Sequence, residues 1–342
     1  MPGQVRAQIL DVGTPSTIDA LGRLTGLLEA ELKATNEAIV ARMDSPVVLI
    51  PQLAAHIVAA GGKRMRPLLT LATAKLCGYQ GTRQVKLAAC VEFIHTATLL
   101  HDDVVDESML RRGFASANAV FGNKASVLVG DFLFSRAFEL MVEDGSLEVL
   151  RILSSASATI AEGEVLQLTT QNDISTTEDK YFDVIRGKTA ALFAAAAEVG
   201  GVIAGVGAEE CAALQGFGMD LGMAFQLVDD ALDYAADQTQ LGKTVGDDFR
   251  EGKLTYPVIL ALAEANEQER AFWVRTIEQS EHTEEDLATA LKLIQKYDVT
   301  ARTIARADQF IDSAVNILAR FPQSDVRSAL ADVARYTTAR RH

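Results

Sequence analysis

The sequence contains few cysteines, and their arrangement excludes two kinds of stabilising site. Its 342 residues include three, Cys77, Cys90 and Cys211, which lie far apart and form no Cys-x-x-Cys pair. An odd number of widely spaced cysteines fits neither a disulfide framework nor a structural zinc site. We therefore expect small core residues in a chain of the reducing cytoplasm, long enough for a core without covalent cross-links.

The chain also carries no excess of positive charge. The chain has 32 basic and 46 acidic residues, a formal net charge of −14. Binding to nucleic acid depends largely on neutralising phosphates with Lys and Arg, so this balance argues against a nucleic acid partner. The few places where basic residues gather therefore indicate local pockets for anions.

Long uninterrupted apolar runs are absent. The most apolar stretch, TAALFAAAAEVGGVIAGVGA, is interrupted by Glu198 and diluted with glycine, which predicts a buried helix and a turn but no membrane span. The N-terminus has no apolar core behind a basic start, so we expect no targeting segment and a frayed end over residues 1–15. These features predict a soluble, cytoplasmic protein.

Proline is scarce and unevenly placed. The chain has seven, and residues 68–256 contain none, as expected of a helical chain. Thr283 and Asp286 form the sequence pattern of a capping box at a helix start. Without a linker or low-complexity stretch, residues 16–342 are expected to form one all-α domain. Strict alternation is absent, and apolar residues recur three and four positions apart, as in Leu128, Phe132, Leu133, Ala137 and Leu140.

Two short patterns each place three aspartates directly behind an apolar run. On a helix, the first and last residues of Asp-Asp-x-x-Asp share a face, where their carboxylates repel each other unless a cation lies between them. Magnesium binds through one or two carboxylates plus substrate phosphate oxygens, so two such clusters predict a Mg²⁺-dependent diphosphate site. The first aspartate cluster is Asp102, Asp103 and Asp106, and the second aspartate cluster is Asp229, Asp230 and Asp233.

Basic residues occur beside glycine in several short segments, as a diphosphate site requires. Arginine binds a phosphate through two hydrogen bonds, and glycine lets the backbone approach closely. The segments GGKRMRP, RRG, RGKTAALF and LGKT supply Lys63, Arg64, Arg66, Arg111, Arg112, Lys188 and Lys243.

With these segments in the same order along the chain, the sequence resembles the head-to-tail trans-isoprenyl diphosphate synthases. The resemblance is strongest to the long-chain bacterial enzymes that make quinone side chains, and it covers residues 61–257. It implies a single large bundle of long helices around a deep central cavity, and a homodimer. The matching segments are GGKRMRP, EFIHTATLLHDDVVDESMLRRG, SVLVGDFLFSRAFELM, EGEVLQL, RGKTAALF and FQLVDDALDY.

The resemblance also implies the reaction and its residues: isopentenyl diphosphate is condensed onto an allylic diphosphate primer with Mg²⁺, three ions in all. It places the metal ligands at Asp102, Asp106 and Asp229, supported by Asp103, Asp230 and Asp233. The allylic diphosphate would contact Arg111, Lys188, Lys243 and Lys253. The isopentenyl diphosphate would contact Lys63, Arg66, His95 and Arg112. Thr189 and Gln226 would lie near the developing positive charge, whereas Gln167 stands where short-chain relatives carry an aspartate.

Other functions account for less of the sequence. Glu92-x-x-His95 has the spacing of half a di-iron site, but a second Glu-x-x-His is missing. A phosphohydrolase dyad of His101 and Asp102 leaves the second aspartate cluster unexplained. A terpene cyclase would not need the GGKRMRP and RRG segments, and a non-catalytic synthase subunit would not need both aspartate clusters. A shorter-chain, geranylgeranyl-type synthase remains the alternative within the family.

Product length is expected to depend on residues just upstream of Asp102. Five positions at about 1.5 Å each place Ala97 roughly 7 to 8 Å below the metals. Short-chain relatives often carry aromatic residues at this depth, whereas this chain has Ala97 and Thr98, with Ile94 almost one turn deeper. Small side chains here predict a long product of about eight to ten isoprene units, although Ala97 is also compatible with close helix packing alone.

We predict that Ala97→Phe shortens the product to a few isoprene units. The new ring would block the path of the growing chain without touching a metal ligand, so the first condensations should survive. Chromatographic sizing of the products from labelled isopentenyl diphosphate measures the effect. A full-length product from this variant would place the floor of the cavity on another helix.

Overall fold

The structure is a computed structural model that describes residues 19–59, 62–111, 113–234 and 245–339. Almost all regular structure in these ranges is helical. The first part contains α1 (Asp19–Leu27), α2 (Glu29–Arg42), α3 (Leu49–Ala59), α4 (Met65–Leu76), α5 (Arg83–Val105), α6 (Ala117–Phe121), α7 (Asn123–Asp144), α8 (Leu147–Thr170), α9 (Glu178–Ile185), α10 (Ala191–Ala204) and α11 (Ala208–Asp233). The remainder contains α12 (Asp247–Arg250), α13 (Tyr256–Glu264), α14 (Glu267–Trp273), α15 (Glu284–Lys296), α16 (Val299–Leu318) and α17 (Asp325–Ala339).

The apolar core lies between the long helices. Helix α5 packs along α7 and α4, while α10 packs along α4 and α11, and α11 packs along α16. Phe93 of α5, Phe193 of α10 and Phe217 of α11 are completely buried. A second, smaller apolar cluster forms around Phe249 and Trp273 in the segment that follows α11. Helices α5 and α11, whose last turns carry the two aspartate clusters, are therefore held firmly in the middle of the bundle.

The predicted all-α class is confirmed, with one small departure. Residues Leu110–Arg111 (β1) and Phe114–Ala115 (β2) form a two-stranded antiparallel hairpin in which Arg111 pairs with Phe114. Gly113 makes the turn possible because its φ of 81° lies in the left-handed region that favours glycine. The strands are too short to show any alternation in the sequence.

The most apolar stretch of the sequence lies inside the protein. A π-helical turn, Arg186–Ala190, joins α9 to α10, so that Glu178–Ala204 is one continuous helical segment. This segment is long and apolar enough to cross a membrane by length and composition, but 78% of its most apolar window is buried. It has the burial of a core helix, and it ends at Gly205 with φ 72°, which confirms the predicted turn.

The π-helical turn touches α8 through two glycines. A Cβ atom on Gly163 would lie 2.5 Å from the backbone nitrogen of Lys188, and one on Gly187 would lie 3.0 Å from the Cα atom of Gly163. Only residues without a side chain allow backbones to approach this closely. This contact fixes Lys188 beside α8.

The capping box of Thr283 and Asp286 is present at the start of α15, with both reciprocal hydrogen bonds. The predicted frayed segment, residues 1–15, lies outside the described residues, as do Arg112 and Lys243.

An ion pair secures the start of α5. Arg83 donates from Nε and Nη2 to the Asp144 carboxylate at 2.8 and 2.7 Å, and the Asp144 side chain is 3% exposed. We expect Asp144→Asn to lower the free energy of unfolding by about 1.5 to 3 kcal/mol, the usual worth of a hydrogen-bonded charged group. Urea denaturation measures it. The matched control is Glu139→Gln, which breaks the exposed Arg136–Glu139 pair and should cost under about 0.5 kcal/mol; equal losses would contradict a special role for Asp144.

Candidate active site

The buried aspartate of the first cluster anchors the hairpin. Asp103 is 2% exposed, and its carboxylate accepts hydrogen bonds from Nε and Nη2 of Arg111, at 2.7 Å for the Nε–Oδ1 contact. Asn118 donates to the backbone carbonyl of Asp103 at 3.0 Å. Asp103 and Arg111 thus neutralise each other, and the pair fixes β1 against the end of α5.

Among the residues that the structure describes, none forms an ion pair with Asp102 as Arg111 does with Asp103. Burial raises the pKa of its carboxyl to about 7, opposed by the positive charge of Lys188 and reinforced by the negative charges of Glu164 and Asp106. A carboxyl with this pKa is one whose charge is poorly compensated by its surroundings. Positive charge placed beside Asp102 would therefore be strongly favoured.

Asp106 forms an ion pair with a lysine that lies 147 residues later in the sequence. Lys253 Nζ lies 2.9 Å from Asp106 Oδ2 and 2.5 Å from Glu251 Oε2. Desolvation lowers the pKa of Lys253, but the two carboxylates outweigh it and hold the pKa above its usual range. This contact brings the segment after α12 against the last turn of α5.

The second cluster is divided between an inward and an outward aspartate. Asp230 is 3% exposed, and it accepts hydrogen bonds from the Tyr181 hydroxyl at 2.6 Å and from Gln226 Nε2 at 2.7 Å. Burial raises the pKa of Asp230 to about 8, and the nearby Asp248 charge adds to it. Its neighbour Asp229 is exposed at the same turn of α11. Asp229 is accordingly the better placed of the two to meet a ligand.

Asp233, the last residue of the second cluster, forms hydrogen bonds with the backbone of the segment that follows α11. Its carboxylate accepts the backbone N–H of Asp248 at 3.2 Å, and its carbonyl accepts the N–H of Gly246 at 2.9 Å. These bonds tie α12 to the end of α11.

The π-helical turn links the two clusters. Lys188 Nζ lies 2.9 Å from Glu164 Oε2 on α8 and acts electrostatically on Asp102. The next residue, Thr189, donates its hydroxyl to Gln226 Oε1 at 2.8 Å, and Gln226 in turn bonds Asp230. This contact chain starts with the electrostatic interaction of Lys188 with Asp102, passes along the backbone to Thr189, and continues through hydrogen bonds to Gln226 and Asp230, so both clusters lie at the same end of the bundle.

Two residues of the GGKRMRP segment meet α5 farther from the aspartates. Arg66 Nη1 donates to His95 Nε2 at 3.0 Å, and its guanidinium lies 4.4 Å from the centre of the Phe193 ring. Arg64 forms an ion pair with Glu92. Both members of Glu92-x-x-His95 are thus bound to arginines, which accounts for the spacing without a di-iron site.

His101 does not form a dyad with Asp102. Its Nε2 lies 3.1 Å from the Val127 carbonyl and 3.4 Å from Asp131 Oδ1 on α7. These contacts direct Nε2 of the imidazole toward α7 and not toward the aspartate cluster.

The three chain-length candidates differ in burial. Ile94 and Ala97 have no exposed surface, whereas Thr98 is half-buried. With about 100° of rotation per residue, Thr98 lies about 40° around α5 from Asp102, and Ala97 about 140°. Thr98 thus shares the face of the site more closely than Ala97 does, and control of chain length by these residues stays a prediction.

The acidic side chains fit a hard divalent cation. The candidate ligands Asp102, Asp106 and Asp229 are carboxylates, the donors that Mg²⁺ prefers. No group of three His, Cys, Asp or Glu side chains within the described ranges forms a complete metal site on its own. A cation here would need oxygens from water or a substrate, which is typical of Mg²⁺ bound with a phosphate group.

Six contact residues were absent from the sequence-based site: Glu92, Asn118, Glu164, Tyr181, Asp248 and Glu251. Glu164 was visible within the matched segment EGEVLQL, but its partner Lys188 lies on another helix. Tyr181 and Asp248 lie outside every matched segment, so no motif signalled them. Their contacts depend on helix packing, which the spacing of residues along the chain does not reveal.

The chain is similar to known proteins over most of its length. The family model described as polyprenyl synthetase matches residues 47–294. Octaprenyl diphosphate synthase of Escherichia coli is 47% identical over 314 residues, which cover 92% of this chain and 97% of the relative. Octaprenyl diphosphate synthase of Haemophilus influenzae is 43% identical over 315 residues, or 92% and 95% of the two chains.

Solved structures show the same fold. A decaprenyl diphosphate synthase from Rhodobacter capsulatus superposes with a TM-score of 0.90 at 52% identity, covering 94% of this chain and 99% of that one. A polyprenyl synthase from Caulobacter crescentus, complexed with calcium and isoprenyl diphosphate, gives a TM-score of 0.92 at 51% identity, covering 94% and 98%. The chain belongs to the polyprenyl synthetase family and is a trans-prenyltransferase.

Proposed function

We propose that the protein condenses isopentenyl diphosphate onto an allylic diphosphate primer to make an all-trans polyprenyl diphosphate of about eight to ten units, for quinone side chains. The observation that carries this proposal is the meeting of both aspartate clusters and several cations at one end of the bundle. The relatives support a long product, because those at 47% and 52% identity are named for octaprenyl and decaprenyl products.

Asp102, Asp106 and Asp229 would hold the metal, and we propose three Mg²⁺ ions. Enzymes of this family depend on Mg²⁺ in general. When bound, Mg²⁺ supplies positive charge that favours departure of the diphosphate group. The poorly compensated charge around Asp102 supports this assignment, because a divalent cation would relieve it.

The allylic diphosphate would be bound by Arg111, Lys188 and Lys253, together with Lys243 outside the described residues. Each of the three described cations contacts a carboxylate: Asp103, Glu164 and Asp106 respectively. These ion pairs orient the cations and neutralise part of their charge. Binding of a diphosphate would add an anionic partner for them, and the bound metal would take over the neutralisation of the aspartates.

The remaining polar residues would orient the second substrate and the reacting carbon. Lys63, Arg66 and His95, with Arg112 outside the described residues, would bind isopentenyl diphosphate. The hydrogen-bonded pair of Thr189 and Gln226 would direct its oxygen dipoles at the positive charge that develops when the allylic C–O bond breaks. The double bond of isopentenyl diphosphate would then attack the allylic carbon from which the diphosphate has departed, and transfer of a proton to that diphosphate would complete the new chain.

We expect Asp102→Ala and Asp229→Ala each to reduce turnover by at least about a hundredfold, because each removes a metal ligand that stabilises the transition state. Incorporation of labelled isopentenyl diphosphate at increasing Mg²⁺ concentration measures the effect, and circular dichroism checks that helix content is kept. The matched control is Asp312→Ala, which removes an exposed carboxylate on α16 and should leave turnover unchanged. Near-normal turnover in either cluster variant would contradict the metal assignment.

We also propose that the protein is a homodimer formed through α7. Leu128, Phe138 and Val142 are exposed on that helix at 66%, 46% and 68%. Helical rotation places these residues within about 80° of one another, so they form one apolar stripe. An exposed stripe of this kind is typical of a surface covered by another chain.

The double variant Leu128→Glu/Val142→Glu should shift the protein from dimer to monomer, because two charges would be buried without partners. Analytical ultracentrifugation at micromolar concentration measures this. Val40→Glu, on the exposed side of α2, is the control and should leave the mass unchanged. A wild-type protein that sediments as a monomer would exclude this interface.

A further inference from the structure

Arg64 begins α4 in a backbone conformation that arginine rarely adopts. Its φ of 49° and ψ of 34° lie in the left-handed region. A residue with a Cβ atom is strained there, so the conformation persists only where the surroundings hold it. Arg64 lies between Lys63 and Arg66, two of the residues proposed to bind isopentenyl diphosphate.

Glu92 supplies the contact that holds Arg64. Its Oε1 forms an ion pair with Nη1 of Arg64, and the residue is 8% exposed on α5. A carboxylate in such surroundings is stable only with a close partner, so the pair constrains both residues. The guanidinium of Arg64 is accordingly directed at α5.

The segment is held at a second point one helical turn farther along α5. His95 lies three residues after Glu92 on the same face and accepts the hydrogen bond from Arg66. Phe193 of α10 supports the Arg66 guanidinium from its ring face. Lys63 is exposed immediately before the turn. The left-handed residue therefore sets the direction from which Lys63 and Arg66 reach their surroundings.

We propose that Glu92 and Arg64 are positioning residues for isopentenyl diphosphate. Their ion pair holds the left-handed turn, and the turn orients Lys63 and Arg66 toward the diphosphate. Arg64 itself does not bind the substrate, although it belongs to the same basic segment. This inference rests on the proposed function, since it assigns a role within the isopentenyl diphosphate site.

A double-mutant cycle tests the inference. Glu92→Gln, Arg64→Gln and the double variant are titrated with isopentenyl diphosphate alone, by calorimetry, so that turnover does not enter. Each single variant should raise the Kd of isopentenyl diphosphate about five- to twentyfold. The Kd of the double variant should lie within about threefold of that of the weaker-binding single variant, because the two residues act as a unit. The KM of the allylic primer should change less than about twofold.

A second pair of variants separates the turn from the charge. Glycine adopts the left-handed conformation without strain, so Arg64→Gly should bind isopentenyl diphosphate several-fold more tightly than Arg64→Ala. If Arg64 contacted the diphosphate, both variants would lose the same interaction equally. Equal losses, or losses in the cycle that multiply, would overturn the proposal and make Arg64 a binding residue.

Asp144→Asn is the control for a loss of stability alone. It breaks the Arg83–Asp144 pair at the start of α5, nine residues before Glu92, and should leave the binding of isopentenyl diphosphate unchanged. If Glu92→Gln also left the binding of isopentenyl diphosphate unchanged, the Glu92–Arg64 pair would contribute to stability alone, and the inference would be overturned. Failure of the wild-type protein to bind isopentenyl diphosphate would instead contradict the proposed function, so the two failures are distinguishable.

Discussion

Repulsion between like charges at one end of the bundle is the constraint on which the site depends. Asp102, Asp106, Glu164 and Asp230 all lie at or near the contact chain that joins α5 to α11, and burial makes each uncompensated charge more costly. Lys188 and Lys253 supply positive charge beside these carboxylates. Burial raises the pKa of Asp230 to about 8, which favours its neutral form. The same excess of negative charge would favour a divalent cation at this end of the bundle.

Helix α5 carries both proposed diphosphate sites on one face. Glu92 and His95 contact the GGKRMRP segment, and Asp102 follows His95 after seven residues, or two turns. Seven residues rise about 10 Å along a straight helix, so the separation of the two sites is set by helix geometry and not by loops. Because α5 is packed against α4, α7 and α10, this separation is as rigid as the core itself.

The sequence predicts those parts of the site that depend on local geometry. The shared face of Asp102 and Asp106 follows from helical periodicity, and the capping box of Thr283 follows from an i to i+3 contact. The buried helix around Glu198 follows from the apolar composition of its stretch. The pairing of Lys188 with Glu164 does not, because it requires Gly163 and Gly187 to bring two helices together. The left-handed turn at Arg64 was equally hidden, since nothing in the residue itself favours that conformation.

The three chain-length candidates differ both in their height along α5 and in the side of the helix on which they lie. Counting five residues back from Asp102 fixes the height of Ala97 on α5, but a rotation of about 140° turns it toward the packed side of the helix. The completely buried state of Ala97 and Ile94 agrees with that direction, whereas half-buried Thr98 lies closer to the face of Asp102. Of the three chain-length candidates, we therefore expect Thr98 to be the one that a growing chain meets first, whereas a larger side chain at position 97 would have to reach the path of the chain from the packed side of α5.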